Sequence, residues 1–247
     1  MPRLTSGLFG FQQFRGVTRQ LVLWNLGAYF LLLLLTTFAK GIGSALIGLA
    51  ALDPYAVLHH GWIWQIVTYS AVHLGIIGTL FELMSIWSLG SFLESNHGSR
   101  WLFEIFFVSI VGAALTALAM SLFLPPSPSP LYATWGGIFG LLIVYGVWYG
   151  DLEFMLFPLR IGIKAKYIVW VYMLIAVALL FGVQRFFALS QLGGALFGWL
   201  YIKYAPKRGF AFAGSESLFG LRNQYYRWKR RRAAKKFEVY MRKHRDN

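Results

Sequence analysis

Apolar residues along this chain fall into six long runs separated by short polar breaks. The runs extend from Leu21 to Ala39, Gly75 to Leu93, Trp101 to Phe123, Ala133 to Tyr149, Ala165 to Phe181 and Phe186 to Tyr204. Each is about 17–23 residues, the length a helix needs to cross roughly 30 Å of hydrocarbon. Lipid offers no partner to a backbone N–H or C=O, so runs this long and apolar predict helices. A further run, Gly41 to Leu52, is too short to cross and reads as part of a loop in the membrane interface. The expected fold is therefore an all-α membrane protein, a six-transmembrane-helix bundle over residues 21–204. A basic segment 1–20 precedes it and a basic tail 205–247 follows.

The breaks differ in kind. Segment 40–73 is the only long connection, and it carries Asp53, Pro54, His59, His60, Trp62 and Trp64, an aromatic-rich composition suited to the interface. Residues 125–130 read Pro-Pro-Ser-Pro-Ser-Pro, a short stiff connector. The first run is too long for the core of a signal peptide and no small-residue cleavage site follows it, so it reads as an uncleaved signal anchor.

Composition agrees: 57% of the 247 residues are apolar and only 13% charged. A soluble domain carries about 25% charged residues. Cysteine is absent, which excludes disulfides, thiol catalysis and cysteine metal sites. The net charge of +14 is concentrated at one end, where residues 203–247 hold 14 Lys and Arg against three Asp and Glu. Placing the N-terminus in the cytoplasm puts all of these inside, with Arg3, Arg15, Arg19, Arg100, Arg160, Lys164 and Lys166, and leaves only Lys40 and Arg185 outside. That imbalance predicts both termini in the cytoplasm. Short loops suggest a bacterial cytoplasmic membrane.

Within the tail, Leu221, Tyr225 and Trp228, then Phe237, Tyr240 and Met241, recur at helical spacing around Arg227, Trp228, Lys229, Arg230, Arg231, Arg232, Lys235 and Lys236. This is the pattern of an amphipathic helix on anionic lipid. Nucleic acid is the weaker alternative, and a plain topology signal is the simplest.

Two stretches inside the runs carry small residues at G-x-x-x-G spacing, Gly136 with Gly140 and Gly194 with Gly198. By themselves they predict close helix packing and nothing more. Together with Trp64 to His73, the run Ile86-Trp87-Ser88-Leu89-Gly90, Leu93-Glu94, Gly98, Lys164 to Tyr167 and Gln191 to Trp199, they occur in the order and register of another family. From about residue 60 to 202 the chain resembles the rhomboid intramembrane serine proteases.

That resemblance implies a Ser-His dyad, with the serine in G-x-S-G, the histidine before the paired glycines of the sixth span, and an H-x-x-x-N pair of oxyanion donors in the second. The corresponding windows here place Trp135 at the serine position, Gln191 at the histidine position, and Gly78 and Glu82 at the donor positions. An indole is no nucleophile and a neutral amide no general base. Gly78 supplies no donor, and an ionised Glu82 repels an oxyanion. The resemblance thus implies a pseudoprotease. Its expected partners are the bilayer and the transmembrane segments of client proteins, since inactive relatives such as the derlins act as adaptors. The alternative is an active intramembrane serine endopeptidase with a non-standard site, for which Thr134, Ser190 and His73 are the candidates; all three also read as ordinary helix and interface residues. A transporter has only Glu82 in its favour.

Glu82 is a functional-site candidate because ionisable groups are costly inside a span. It reads either as protonated, or paired with polar groups in a small wet cavity, or as a contact for a polar or basic group of a client helix. Glu104 reads as a structural partner of Arg100. His59 and His60 are adjacent without a further ligand, and neither a metal nor a cofactor is implied.

Overall fold

The structure, a computed structural model, describes residues 15–125, 130–156 and 161–205. Every apolar run of the sequence is helical, within a few residues of the expected bounds. The first is α1 (Gly16–Phe38), and the second is α5 (Ile76–His97), followed at once by α6 (Ser99–Ser121). The last three are α7 (Trp135–Trp148), α8 (Ala165–Leu179) and α9 (Arg185–Tyr204).

Length and hydropathy together separate them. Among the described residues three helices, α1, α5 and α6, are long and apolar enough to cross a membrane, against the six expected. At 14 residues α7 spans about 21 Å at 1.5 Å per residue, short of the hydrocarbon thickness. Its surroundings explain this: nine of its residues are buried, and α6, α8 and α9 pack around it. A helix walled by protein need not match the bilayer. By contrast α1 and α8 turn large apolar side chains outward, among them Trp24, Phe30, Phe38, Trp170 and Leu174. An exposed apolar girdle of this kind suits lipid.

The connection 40–73 is not a plain loop. It folds into α2 (Lys40–Ala50), α3 (Pro54–His60) and α4 (Gln65–Thr68), with a 3-10 turn at Tyr69–Ala71. A helix leaves its last four carbonyls without partners. Here side chains from the chain further on answer those of α2. Gln65 Nε2 donates to Gly48 O at 3.1 Å and Leu49 O at 3.2 Å, Trp64 Nε1 to Leu49 O at 3.0 Å, and Thr68 Oγ1 to Ala50 O at 2.9 Å. Leu52 and Leu131 exchange both backbone hydrogen bonds at 2.8 Å, which ties this segment to the stretch before α7.

The all-α expectation needs one correction. Residues between α7 and α8 form an antiparallel hairpin, β1 (Glu153–Leu156) with β2 (Ile161–Lys164). Asp151 beside it accepts from Lys166 Nζ at 2.8 Å, and that bond holds its carboxyl below the usual range.

Two contacts fix the core. Glu94 caps the start of α1 from another helix: its carboxylate accepts from Val17 N at 2.7 Å, Thr18 N at 2.9 Å and Thr18 Oγ1 at 2.6 Å. A carboxylate at a helix N-terminus also meets the positive end of the dipole. The second contact joins α7 and α9 through their backbones. A Cβ on Gly194 would land on the Gly136 carbonyl oxygen, and one on Gly198 would lie 2.7 Å from Gly140 Cα.

Gly194→Ala therefore pushes on rigid backbone. It is expected to destabilise the fold by about 1–3 kcal/mol, the usual range for overpacking. Gly27→Ala, where an added Cβ meets open space, should leave stability unchanged or raise it. Thermal unfolding in detergent measures both; equal melting temperatures for the two variants would remove the backbone contact from the account.

Candidate functional site

Four segments bring polar side chains together at one end of the bundle. From α1 comes Asn25, whose Nδ2 donates to Leu21 O of its own helix at 2.7 Å. That bond turns Asn25 Oδ1 toward His73, whose Nε2 lies 2.9 Å away. An amide oxygen only accepts, so the imidazole carries its proton on Nε2. The other ring nitrogen, Nδ1, lies 3.1 Å from Glu82 Oε2 on α5. The distance is that of a hydrogen bond but its direction is poor, and we regard it as a close polar contact. Glu82 Oε2 also accepts from Thr134, at 3.1 Å from the backbone N and 2.9 Å from Oγ1. Asn25, His73, Glu82 and Thr134 are all less than a tenth exposed.

The backbone before Thr134 is strained. Ala133 has φ of 81°, a left-handed conformation that side chains disfavour by about 1–2 kcal/mol. Its N–H holds it there by pointing at two carbonyls, Tyr69 O at 3.1 Å and Val72 O at 3.0 Å. In the resemblance this position is the first glycine of G-x-S-G, where such a φ is free of strain.

Beside the network lies a cavity of about 410 Å³. Gly78 and Glu82 of α5 line it, with Tyr132 and Trp135 at the start of α7, and Phe186 and Phe187 at the start of α9. Its size is within the usual range of ligand pockets. Three of the four positions that correspond to rhomboid catalytic groups are thus on one wall system: Trp135, Gly78 and Glu82. An added Cβ at Gly78 would meet open space. Gln191 is not on that wall; it is buried one turn beyond Phe187, and its Oε1 has no partner among the described residues.

Other candidates fall elsewhere. Ser190 Oγ returns to Phe187 O of its own helix at 2.9 Å. Glu104 accepts from Tyr201 OH at 2.9 Å and lies 3.9 Å from Arg100 Nε. His59 stacks on Tyr55. The tail residues Arg227, Trp228, Lys229, Arg230, Arg231, Arg232, Lys235 and Lys236 lie outside the described residues.

His73 is a correction to the sequence reading. As an ordinary residue at the mouth of its span it would face water; instead it is 2% exposed and joins α1 to α5. Spacing gave no signal for this, because Asn25 and His73 are 48 positions apart.

Residues 20–213 match the profile of the family described as eukaryotic integral membrane protein (DUF1751). The chain belongs to this family. It also resembles Rhomboid-like protein 19 of Arabidopsis thaliana, with 26% identity over 162 residues, 59% of this chain and 49% of that protein. The chain spans about half the length of that relative. This DUF1751 protein is accordingly a rhomboid-like integral membrane protein. The expected bacterial membrane is overturned, since the family is eukaryotic. Economy of loops reflects the fold and carries no mark of the organism.

The network yields a direct test. Asn25→Leu strands a buried imidazole N–H, at a cost of about 1–3 kcal/mol. Its effect should be non-additive with Glu82→Gln, because both residues hold His73. A double-mutant cycle on thermal unfolding reads the coupling, expected at about 0.5–3 kcal/mol. Strict additivity would dissolve the network into separate pairs.

Proposed function

We propose that this protein is a rhomboid-like scaffold without the Ser-His dyad, which retains transmembrane segments of client proteins and does not cut them. The observation that supports this most is the cavity. Where the resemblance calls for a nucleophile and oxyanion donors, the wall carries the Trp135 indole, the Gly78 backbone and the Glu82 carboxylate. None can attack a carbonyl, and the carboxylate disfavours a tetrahedral oxyanion. Two of its lining residues, Leu74 and Val183, are exposed apolar side chains, which leaves the cavity within reach of a helix in the bilayer. In this reading six helices cross the membrane, both termini face the cytoplasm, and the basic tail rests on anionic lipid.

One observation favours a second reading, a protease with a relocated nucleophile. Thr134 Oγ1 is 2.9 Å from a carboxylate that also touches an imidazole. Hydroxyl, acid and base are therefore together. Against it, Thr134 is 1% exposed, while its neighbours Ala133 and Trp135 line the cavity. A nucleophile must reach its substrate.

The deciding experiment reconstitutes the protein with a transmembrane substrate that active rhomboids cleave. We expect no product on a gel, and co-purification of intact substrate. Product that disappears on Thr134→Ala would establish the second reading. For the tail, removal of residues 205–247 should weaken binding to anionic vesicles at low salt, and the difference should shrink as salt rises. Unchanged binding at low salt would leave the tail as a topology signal only.

A further inference from the structure

The two oxygens of Glu82 have different surroundings. Oε2 takes every contact recorded from the described residues: the N–H and hydroxyl of Thr134, and Nδ1 of His73. Oε1 receives none of these. The side chain is 5% exposed, yet Glu82 lines the cavity. The oxygen left for the cavity is Oε1, and its direction is set because its twin accepts two hydrogen bonds from Thr134.

The rest of the wall is consistent with one kind of guest. Tyr132, Trp135, Phe186 and Phe187 contribute four aromatic rings, and among the described residues no Lys or Arg lines the cavity. Aromatic faces attract cations, most strongly when water is excluded. A carboxylate oxygen without a partner adds the counter-charge. An anionic guest would meet repulsion there. A purely apolar one would leave Oε1 desolvated and unpaired.

Depth selects the carrier. Glu82 lies six residues into α5 from Ile76, about 9 Å along the axis at 1.5 Å per residue. The amine of a lipid headgroup sits at the interface, whereas a basic side chain on a helix within the bilayer is already at that depth. Such a side chain is disfavoured in hydrocarbon and gains by pairing.

We infer that Glu82 Oε1 and the aromatic wall bind one cationic side chain, an ammonium or guanidinium, on a transmembrane segment of a partner protein. This rests on the client-retaining reading above and specifies what is retained: helices with a basic residue in their outer third.

The test uses the full chain in neutral detergent and two dye-labelled single-span peptides, identical except for Lys or norleucine at one site. Fluorescence anisotropy gives the affinities. The Lys peptide should bind at least tenfold more tightly. Glu82→Gln should abolish that difference and leave the norleucine peptide's affinity unchanged. If Gln at this position prevents purification of a folded protein, Trp135→Leu and Trp135→Phe ask the same of the rings. The leucine variant should lose several-fold in Lys preference, and the phenylalanine variant should keep most of it.

Equal binding of both peptides by the unaltered protein overturns the cation site and leaves client retention standing. Dodecylammonium is the probe for the opposite case. If it binds more tightly than dodecanol in a Glu82-dependent way while neither peptide binds, the helix as carrier is overturned and client retention falls with it. If phosphatidylethanolamine added to the micelles removes the Lys preference, the natural ammonium is the lipid's and a helix side chain is overturned as the ligand. If no probe binds, both readings fall.

Discussion

The backbone contact between α7 and α9 is the constraint on which the rest of this structure depends. Helices in lipid gain little from burying apolar side chains against each other, because lipid is equally apolar. Close approach is what remains, and it requires residues without a Cβ at the crossing. Gly136 with Gly194, and Gly140 with Gly198, meet that requirement at two successive turns. The contact sets the position of the first turn of α7, and with it Thr134 and Trp135. It also sets the first turn of α9, which brings Phe186 and Phe187 to the opposite wall of the cavity. Widening the crossing by one methyl group would move both walls together.

A second constraint is the buried carboxylate. Burying a charge without partners is costly, and a carboxylate below the surface of a helical bundle must be answered by donors. Glu82 recruits two from the strained turn at Thr134, and His73, which lies against the same oxygen, reaches Asn25 on α1. The same residue therefore joins α1, the long connection, α5 and α7. Glu94 plays a simpler part at the other end of α5, where it holds the start of α1 in register. Glu94 thus fastens α1 at its start, and the Glu82 network reaches its middle through His73 and Asn25.

The helices were legible in the sequence because one physical rule, backbone satisfaction in an apolar solvent, decides them with little competition. Their bounds in the structure are within a few residues of the apolar runs. How many are long and apolar enough to cross was not legible in the same way: α7 is apolar all round but short, being walled by protein. The helices inside segment 40–73 were missed for a different reason. The end groups of α2 are satisfied by Trp64, Gln65 and Thr68, about 15–18 positions away, and local pattern does not report a cap supplied from so far; α3 has local caps in Asp53 and Gly61. The site divides likewise. Trp135, Gly78 and Glu82 were found through register against a known family, and they meet at one cavity. His73 was a candidate from the sequence, but Asn25 and its pairing with His73 were found only in three dimensions. The one local hint was an Asn in an otherwise apolar helix, and such residues often just return a hydrogen bond to their own backbone, as Asn25 also does.

Fixing one oxygen of a carboxylate determines the direction of the other. Two donors of Thr134 hold Glu82 Oε2, which restrains the side chain from swinging its second oxygen into the packed interior. The desolvation of that group is met when the protein folds, with Thr134 and His73 as the offset. A guest that pairs with Oε1 then needs no rearrangement of the wall, and lost side-chain freedom is the usual drain on affinity in such sites. In a hydrolase this arrangement would be a fault, since a fixed negative oxygen opposes the charge that develops on a carbonyl under attack. In a receptor for a basic side chain it is the central feature. On the proposed reading an indole where the resemblance expects a hydroxyl acts in the same sense, because it supplies no attacking group and adds the largest aromatic face available. On the proposed reading the residues at these positions are coherent as one shift, from stabilising a transient anion to holding a permanent cation.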